Sequence, residues 1–158
     1  MAGTNQKPPV DSELPKLDDF LCFATYSANL AFNRVYKPVL DELGLTYPQY
    51  IVLVALYEQD DQTVSGLGDK LFLDSSTLTP LLKRMESMGH LTRQRNPEDE
   101  REVRLRLTPQ GRKAREKVAL ARGELLKATG LGVADFRGLR NEMIKLRANL
   151  SNAVRAKP

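Results

Sequence analysis

The stretch TVSGLGDKLFLDSSTLTPLLKRMESMGHLTRQRNPEDEREVRLRL, from Thr63 to Leu107, decides the fold. Its first half contains two helix starts. Thr63 and Asp74 each offer a side-chain oxygen to the unpaired amides of a first turn, over Val64–Leu71 and then Ser75–Met88, and Gly89 supplies the stop. In the second helix Leu78, Leu81, Leu82, Met85 and Met88 recur at helical spacing and form a core face. Ser75, Ser76, Thr77, Thr79, Lys83 and Arg84 are left for the remaining surface. The period then drops to two. In Leu91–Arg95 and Val103–Leu107 successive side chains alternate in character, and Asn96-Pro97-Glu98-Asp99-Glu100-Arg101 between them has turn chemistry, so a β-hairpin is predicted.

A short helix, a tight connection, a second capped helix and a basic hairpin make a winged helix-turn-helix. A recognition helix enters the major groove by its N-terminal end, which must be rich in small donors. The hydroxyls of Ser75, Ser76, Thr77 and Thr79 and the first-turn amides suit phosphates or base edges. Lys83 and Arg84, a turn or two later, reach for the backbone or a guanine. Arg93, Arg95, Arg101, Arg104 and Arg106 crowd the hairpin, where some can enter a narrow minor groove. Glu86, Glu98, Asp99, Glu100 and Glu102 share the stretch, so the reading rests on arrangement, not on local net charge. Asp99 and Arg101 are spaced for an ion pair at the wing tip that aims an arginine and stabilises little.

Outward from this core, Thr46 and Gln49 form a capping box for a helix over Tyr47–Gln59 that is apolar nearly all round and therefore central. Upstream, a long helix is expected from near Asp18, with Phe20, Ala24, Ala28, Ala31, Val35 and Val39 as a buried stripe, a bend at Pro38 and an end at Gly44. Downstream, Thr108-Pro109 opens a helix striped by Ala114, Val118, Ala121 and Leu125, which Gly130 or Gly132 breaks. In the last helix Phe136, Leu139, Met143, Leu146 and Leu150 step in threes and fours, a seam suited to packing on another helix. The expected division is a disordered arm over 1–16, an N-terminal helix over 17–45, the winged helix-turn-helix over 46–108 and C-terminal helices over 109–158. The class is mainly α with a small β-hairpin.

The composition sets bounds. The 158 residues are 41% hydrophobic and 28% charged, as in soluble globular chains, and 24 Lys+Arg against 20 Asp+Glu give a net charge of +4. The longest apolar run, Ile51–Tyr57, is too short to cross a bilayer, and Met1–Pro15 lacks the pattern of a signal peptide, so the cytoplasm is expected. Cys22 is the single cysteine, so no internal disulfide forms. His90 has no ligand partners nearby and reads as a loop residue. No catalytic residue, metal site or cofactor is expected.

Leu67-Gly68-Asp69-Lys70-Leu71, the run Leu73–Met85 and Asp99-Glu100-Arg101 resemble the MarR-family regulators. Leu21-Cys22-Phe23-Ala24 through Tyr26, Tyr36-Lys37-Pro38 and Leu45-Thr46-Tyr47-Pro48-Gln49-Tyr50 look like the organic-hydroperoxide-resistance regulators in particular. The likeness covers roughly residues 17 to 120. It implies a homodimer joined through its first and last two helices, gripping a pseudo-palindromic operator on double-stranded DNA. It also implies a repressor whose cysteine, Cys22, is oxidised by organic hydroperoxides, with the two partner-subunit tyrosines that bond the reduced sulfur at Tyr26 and Tyr36, although Tyr26, at i+4 from Cys22, is also spaced for a contact along its own helix. A second, late cysteine completes the switch in one branch of the family. With Cys22 alone, the implied route is a mixed disulfide with a small thiol, or overoxidation.

The arithmetic of reactivity agrees with that role for tyrosines. An ordinary thiol is only about 3% thiolate at pH 7, and reaching about 90% takes roughly 3.4 kcal/mol of differential stabilisation. A helix dipole gives about 0.3–1 kcal/mol and fades after the first turn, whereas each hydrogen bond to a charged group gives about 1.5–3 kcal/mol. With Cys22 expected about four residues into its helix, the dipole falls short and two tyrosine hydroxyls close the gap. Tyr47 and Tyr50 read as core and cap packing. Three other readings stand beside this one: a repressor released by a small aromatic or anionic ligand, a one-cysteine peroxidase, and a helical interaction protein without DNA contacts. The peroxidase reading lacks a histidine or nearby arginine for Cys22.

Overall fold

The computed structural model describes residues 14–99, 101–120 and 122–156. Its elements are α1 (Leu21–Glu42), α2 (Tyr47–Glu58), β1 (Gln62–Thr63), α3 (Val64–Leu71), α4 (Ser75–Ser87), β2 (Leu91–Arg95), β3 (Val103–Leu107), α5 (Pro109–Leu120), α6 (Arg122–Thr129) and α7 (Val133–Arg155). Both hairpin strands fall where the alternation placed them. The expected arm over 1–16 lies almost wholly outside the described residues, as does the stripe position Ala121.

The helix ends follow local chemistry. The Thr46 N–H donates to Gln49 Oε1 at 2.8 Å, closing the capping box. Thr63 Oγ1 accepts the Gly66 N–H at 3.1 Å, and Asp74 Oδ1 accepts the Thr77 N–H at 2.8 Å. Gly44, Gly89 and Gly130 terminate their helices at positive φ. A Cβ on Gly68 would lie 2.9 Å from the Leu73 carbonyl oxygen, so the tight packing of α3 on the turn into α4 requires glycine there.

Val52, Leu53 and Leu56 of α2 form the centre of the core, with Leu67, Leu78, Leu82, Met85, Leu91, Leu105 and Val118 packed around them, all less than 2% exposed. At about 25 cal/mol per Å² of apolar surface removed from water, each such side chain contributes about 1.5–3 kcal/mol. Ala114, Val118 and Leu125 are buried on the predicted stripe. The sheet is antiparallel in the order β1-β3-β2, with Leu91 opposite Leu107 and Arg95 opposite Val103. Sequence reading yields two strands. β1 is a third, too short to show a period, and it pairs Thr63 with Arg104.

Two expectations are corrected at α1. First, the helix does not begin near Asp18. Leu17–Asp19 form a 3-10 turn in which the Lys16 N–H donates to Asp19 Oδ2 at 2.8 Å, and Phe20 is extended, so α1 starts at Leu21. Cys22 therefore lies in the first turn of α1 and not four residues in. Second, the predicted stripe is not buried by this chain: along α1 only Leu40 is, because only the end of the helix packs on α2. The seam on α7 is likewise uncovered, with Leu139 and Leu150 exposed.

Candidate nucleic-acid interface and cysteine site

Ser75, Ser76, Thr77, Lys83 and Arg84 project from the exposed side of α4, and Thr79 is half-buried. Asp74 organises the first turn: it takes the Thr77 amide and the Ser76 hydroxyl, the latter at 2.6 Å. These bonds, the Ser76 hydroxyl first, hold its carboxyl below the usual range. Pro80 inside α4 has no N–H, so the Ser76 carbonyl lacks its usual helical donor.

The wing arginines divide into two groups. Arg95 and Arg101 are exposed, and among the described residues no carboxylate pairs with either guanidinium. Arg93, expected to face DNA, is tied back to α4: its N–H donates to Glu86 Oε1 at 3.1 Å, and its guanidinium stands 3.7 Å from the same carboxylate. Arg104, also expected on the DNA, donates from Nε to Asp61 Oδ1 at 2.7 Å and from Nη2 to the Asp61 carbonyl. Arg106 Nη2 reaches Asp61 Oδ2 at 3.1 Å. Hydrogen bonds from Arg106 and then Arg104 lower the Asp61 carboxyl to about 2. The expected Asp99–Arg101 ion pair is replaced by a local turn, in which Asp99 Oδ1 accepts the backbone N–H of Arg101 at 3.0 Å. The backbone amide two residues on is closer to hand than a mobile guanidinium.

Sequence reading missed the Asp60-Asp61 turn. Asp60 accepts the Leu107 N–H at 2.9 Å and the Arg112 guanidinium, pinning the base of the wing to the start of α5. Two adjacent acids after a helix are a turn signal, but partners more than forty residues away leave no local mark.

On α1, Cys22 is an exposed free thiol. Tyr26, one turn further on the same face, is 60% exposed. Tyr36 is half-buried in a cluster with Tyr47 and Tyr50, its ring centroid 5.3 Å and 5.7 Å from theirs. Burial, with Tyr50 close by, pushes the Tyr47 hydroxyl above its usual range. The structure thus does not bring Cys22 and Tyr36 of one chain together. Between α1, α6 and α7 lies an apolar cavity of about 530 Å³, lined by residues that include Phe32, Val35, Leu125, Phe136 and Met143, with Arg140 the charged group on its wall.

A capped helix presenting hydroxyls and cations, joined to an arginine-tipped hairpin by a short sheet, defines a winged helix-turn-helix DNA-binding regulator. The "Transcriptional regulator SarA/Rot" family matches residues 34–118. The organic hydroperoxide resistance transcriptional regulator of Bacillus subtilis is 42% identical over 131 residues, covering 83% of this chain and 89% of that one. Reduced AbfR bound to DNA superposes with a TM-score of 0.75 at 32% identity, covering 87% of this chain and 96% of the other. Overoxidised AbfR bound to DNA gives 0.70 at 34% identity, covering 85% and 94%, and AbfR is a protein of Staphylococcus epidermidis. The chain belongs to the MarR-type winged-helix transcriptional regulators, among the relatives of the organic hydroperoxide resistance regulators. It is a DNA-binding regulator and not an enzyme.

Proposed function

We propose that this chain is a dimeric cytoplasmic repressor that holds a pseudo-palindromic operator when Cys22 is reduced and releases it when an organic hydroperoxide oxidises Cys22. The first turn of α4 enters the major groove, with Ser75, Ser76, Thr77 and Thr79 at its mouth and Lys83 and Arg84 on the flanking backbone. Arg95 and Arg101 extend the grip from the wing tip. In the chemical step the Cys22 thiolate attacks the peroxide's outer, hydroxyl-bearing oxygen, an S–O bond forms as the O–O bond breaks, and the departing alkoxide takes a proton from water, giving a sulfenic acid and an alcohol. A small thiol then displaces water to form a mixed disulfide, or further peroxide carries the sulfur to the sulfinic state.

The observation that carries this reading is the position of Cys22: an exposed sulfur in the first turn of α1, with Tyr26 one turn away on the same face. The relatives named for organic hydroperoxide resistance support the trigger. The uncovered stripes on α1 and α7 support dimerisation, since a monomer in water gains by covering them. The deciding experiment is binding to a promoter fragment by reduced protein, before and after stoichiometric cumene hydroperoxide, with Cys22→Ser alongside. Release by the parent and retention by the serine variant are expected; release by both places the sensor elsewhere. The cavity beside Arg140 favours a second reading, release by a small aromatic anion. That reading predicts that alkylating Cys22 leaves the response intact.

A further inference from the structure

Asp61 joins α2 to the sheet at φ 57°, in the left-handed region that Asn and Asp tolerate better than other side chains. Its carboxylate spans two residues of one strand face, Arg104 at 2.7 Å and Arg106 at 3.1 Å, and its own carbonyl accepts from Arg104 as well. The neighbouring Asp60 fixes the same turn to Leu107 and Arg112. The hairpin's cations are thus partitioned: the arginines at the root are tethered, and among the described residues no carboxylate pairs with those at the tip. Arg106 remains 55% exposed in its tether, so it is held back by charge and not by burial.

We propose that Asp61 is a specificity-determining residue: a leash that keeps Arg104 and Arg106 off the phosphates of arbitrary duplex DNA. Attraction to any duplex grows with each phosphate a cation neutralises, whereas discrimination is the ratio of operator to arbitrary binding. On an operator, base contacts fix the docking register and leave the wing root where it is. On arbitrary sequence the protein shifts until every available cation meets a phosphate. Two untethered arginines at the root therefore strengthen arbitrary binding more than operator binding, and the carboxylate of Asp61 preserves the difference.

The test is competition between a duplex selected from a random pool by the parent protein and a scrambled duplex of the same composition, from about 50 to 200 mM salt. Asp61→Asn keeps the tolerance for positive φ and removes the charge. It is expected to raise affinity for the scrambled duplex on the order of tenfold at the lowest salt and to steepen the salt slope by about 0.9–1.8. The operator-to-scrambled ratio falls. Adding Arg104→Gln and Arg106→Gln to that variant restores the parent slope, and the same pair in the parent leaves the slope unchanged. An unaltered slope and ratio in Asp61→Asn overturns the leash. So does a parent slope that drops by about 0.9 for each glutamine introduced. If Asp61→Asn does not fold, the glutamine pair decides alone. The inference rests on DNA binding itself, and a parent protein that holds neither duplex at low salt removes that reading instead.

Discussion

A Cβ placed on Gly111 would lie 2.1 Å from the carbonyl oxygen of His90, so the first turn of α5 rests backbone against backbone on the root of the wing. Thr108 completes the junction: its N–H donates to the His90 carbonyl at 3.2 Å, and its hydroxyl donates to the Gly89 carbonyl at 2.6 Å. Gly111→Ala has no flexible side chain to displace and must push the helix backbone away from the wing. A stability loss of about 1–3 kcal/mol or more is expected, read from the urea midpoint. An unshifted midpoint contradicts the close contact.

His90 itself is 4% exposed, and its Nδ1 has no hydrogen-bond partner among the described residues. Burial pushes its imidazole below the ordinary 6.5. The folded state then binds fewer protons than the unfolded chain in the window just under that value. The sign is fixed: stability is full above about pH 6.5 and is lost as pH falls toward the lowered folded value. Urea melts between pH 7.5 and 5 are expected to show this fall, and His90→Leu is expected to reduce it. Equal slopes for the two proteins rule out His90 as the source.

How much of this is legible in the sequence depends on how local the cause is. Thr46, Thr63, Asp74 and Thr108 cap helices within three residues of themselves, and their roles can be read directly. The alternation in Leu91–Arg95 and Val103–Leu107 marks both strand bounds because one face must enter the core. The start of α1 is misplaced by sequence reading because Asp18 and Asp19 suit a 3-10 turn as well as an α-helical one. The tether of Arg104 to Asp61 crosses the fold, and an arginine read alone on a hairpin looks equally suited to DNA. His90 is a loop residue, as its place after Gly89 indicates, yet its burial comes from the α5 contact and has no signature of its own. The stripe on α1 is visible as a stripe, but periodicity says that a face is apolar and not which surface covers it.

Cys22 and Tyr36 stand fourteen positions apart on α1, which at 1.5 Å per residue is about 21 Å. A phenol hydroxyl cannot bridge that span, so any bond from Tyr36 to a Cys22 sulfur is made between subunits. Tyr36→Phe homodimers are expected to oxidise about tenfold or more slowly, because a hydrogen bond to an ionised group worth about 1.5–3 kcal/mol is lost. The decisive sample is a mixed dimer of a Tyr36→Phe chain with a Cys22→Ser chain. Its one cysteine then faces an intact tyrosine of the partner, and parent-like peroxide kinetics are expected. Slow kinetics in the mixed dimer would show that Tyr36 acts within its own chain.

Arg101 is the sharper probe of the wing, because Asp99 holds its backbone while leaving the guanidinium unpaired among the described residues. A side chain anchored in that way reaches DNA without first breaking an ion pair, unlike Arg104. Arg101→Ala is therefore expected to weaken operator binding and to reduce the salt slope by about 0.9, the loss of one phosphate contact. If Arg101 enters a minor groove, the loss is larger on sites with A·T-rich flanks, where a narrow groove concentrates negative potential. Asp99→Ala is expected to have a milder effect in the same direction, since it loosens the turn without removing the charge. Parent-like affinity and slope for Arg101→Ala would exclude the wing tip from the interface and leave α4 to bind alone.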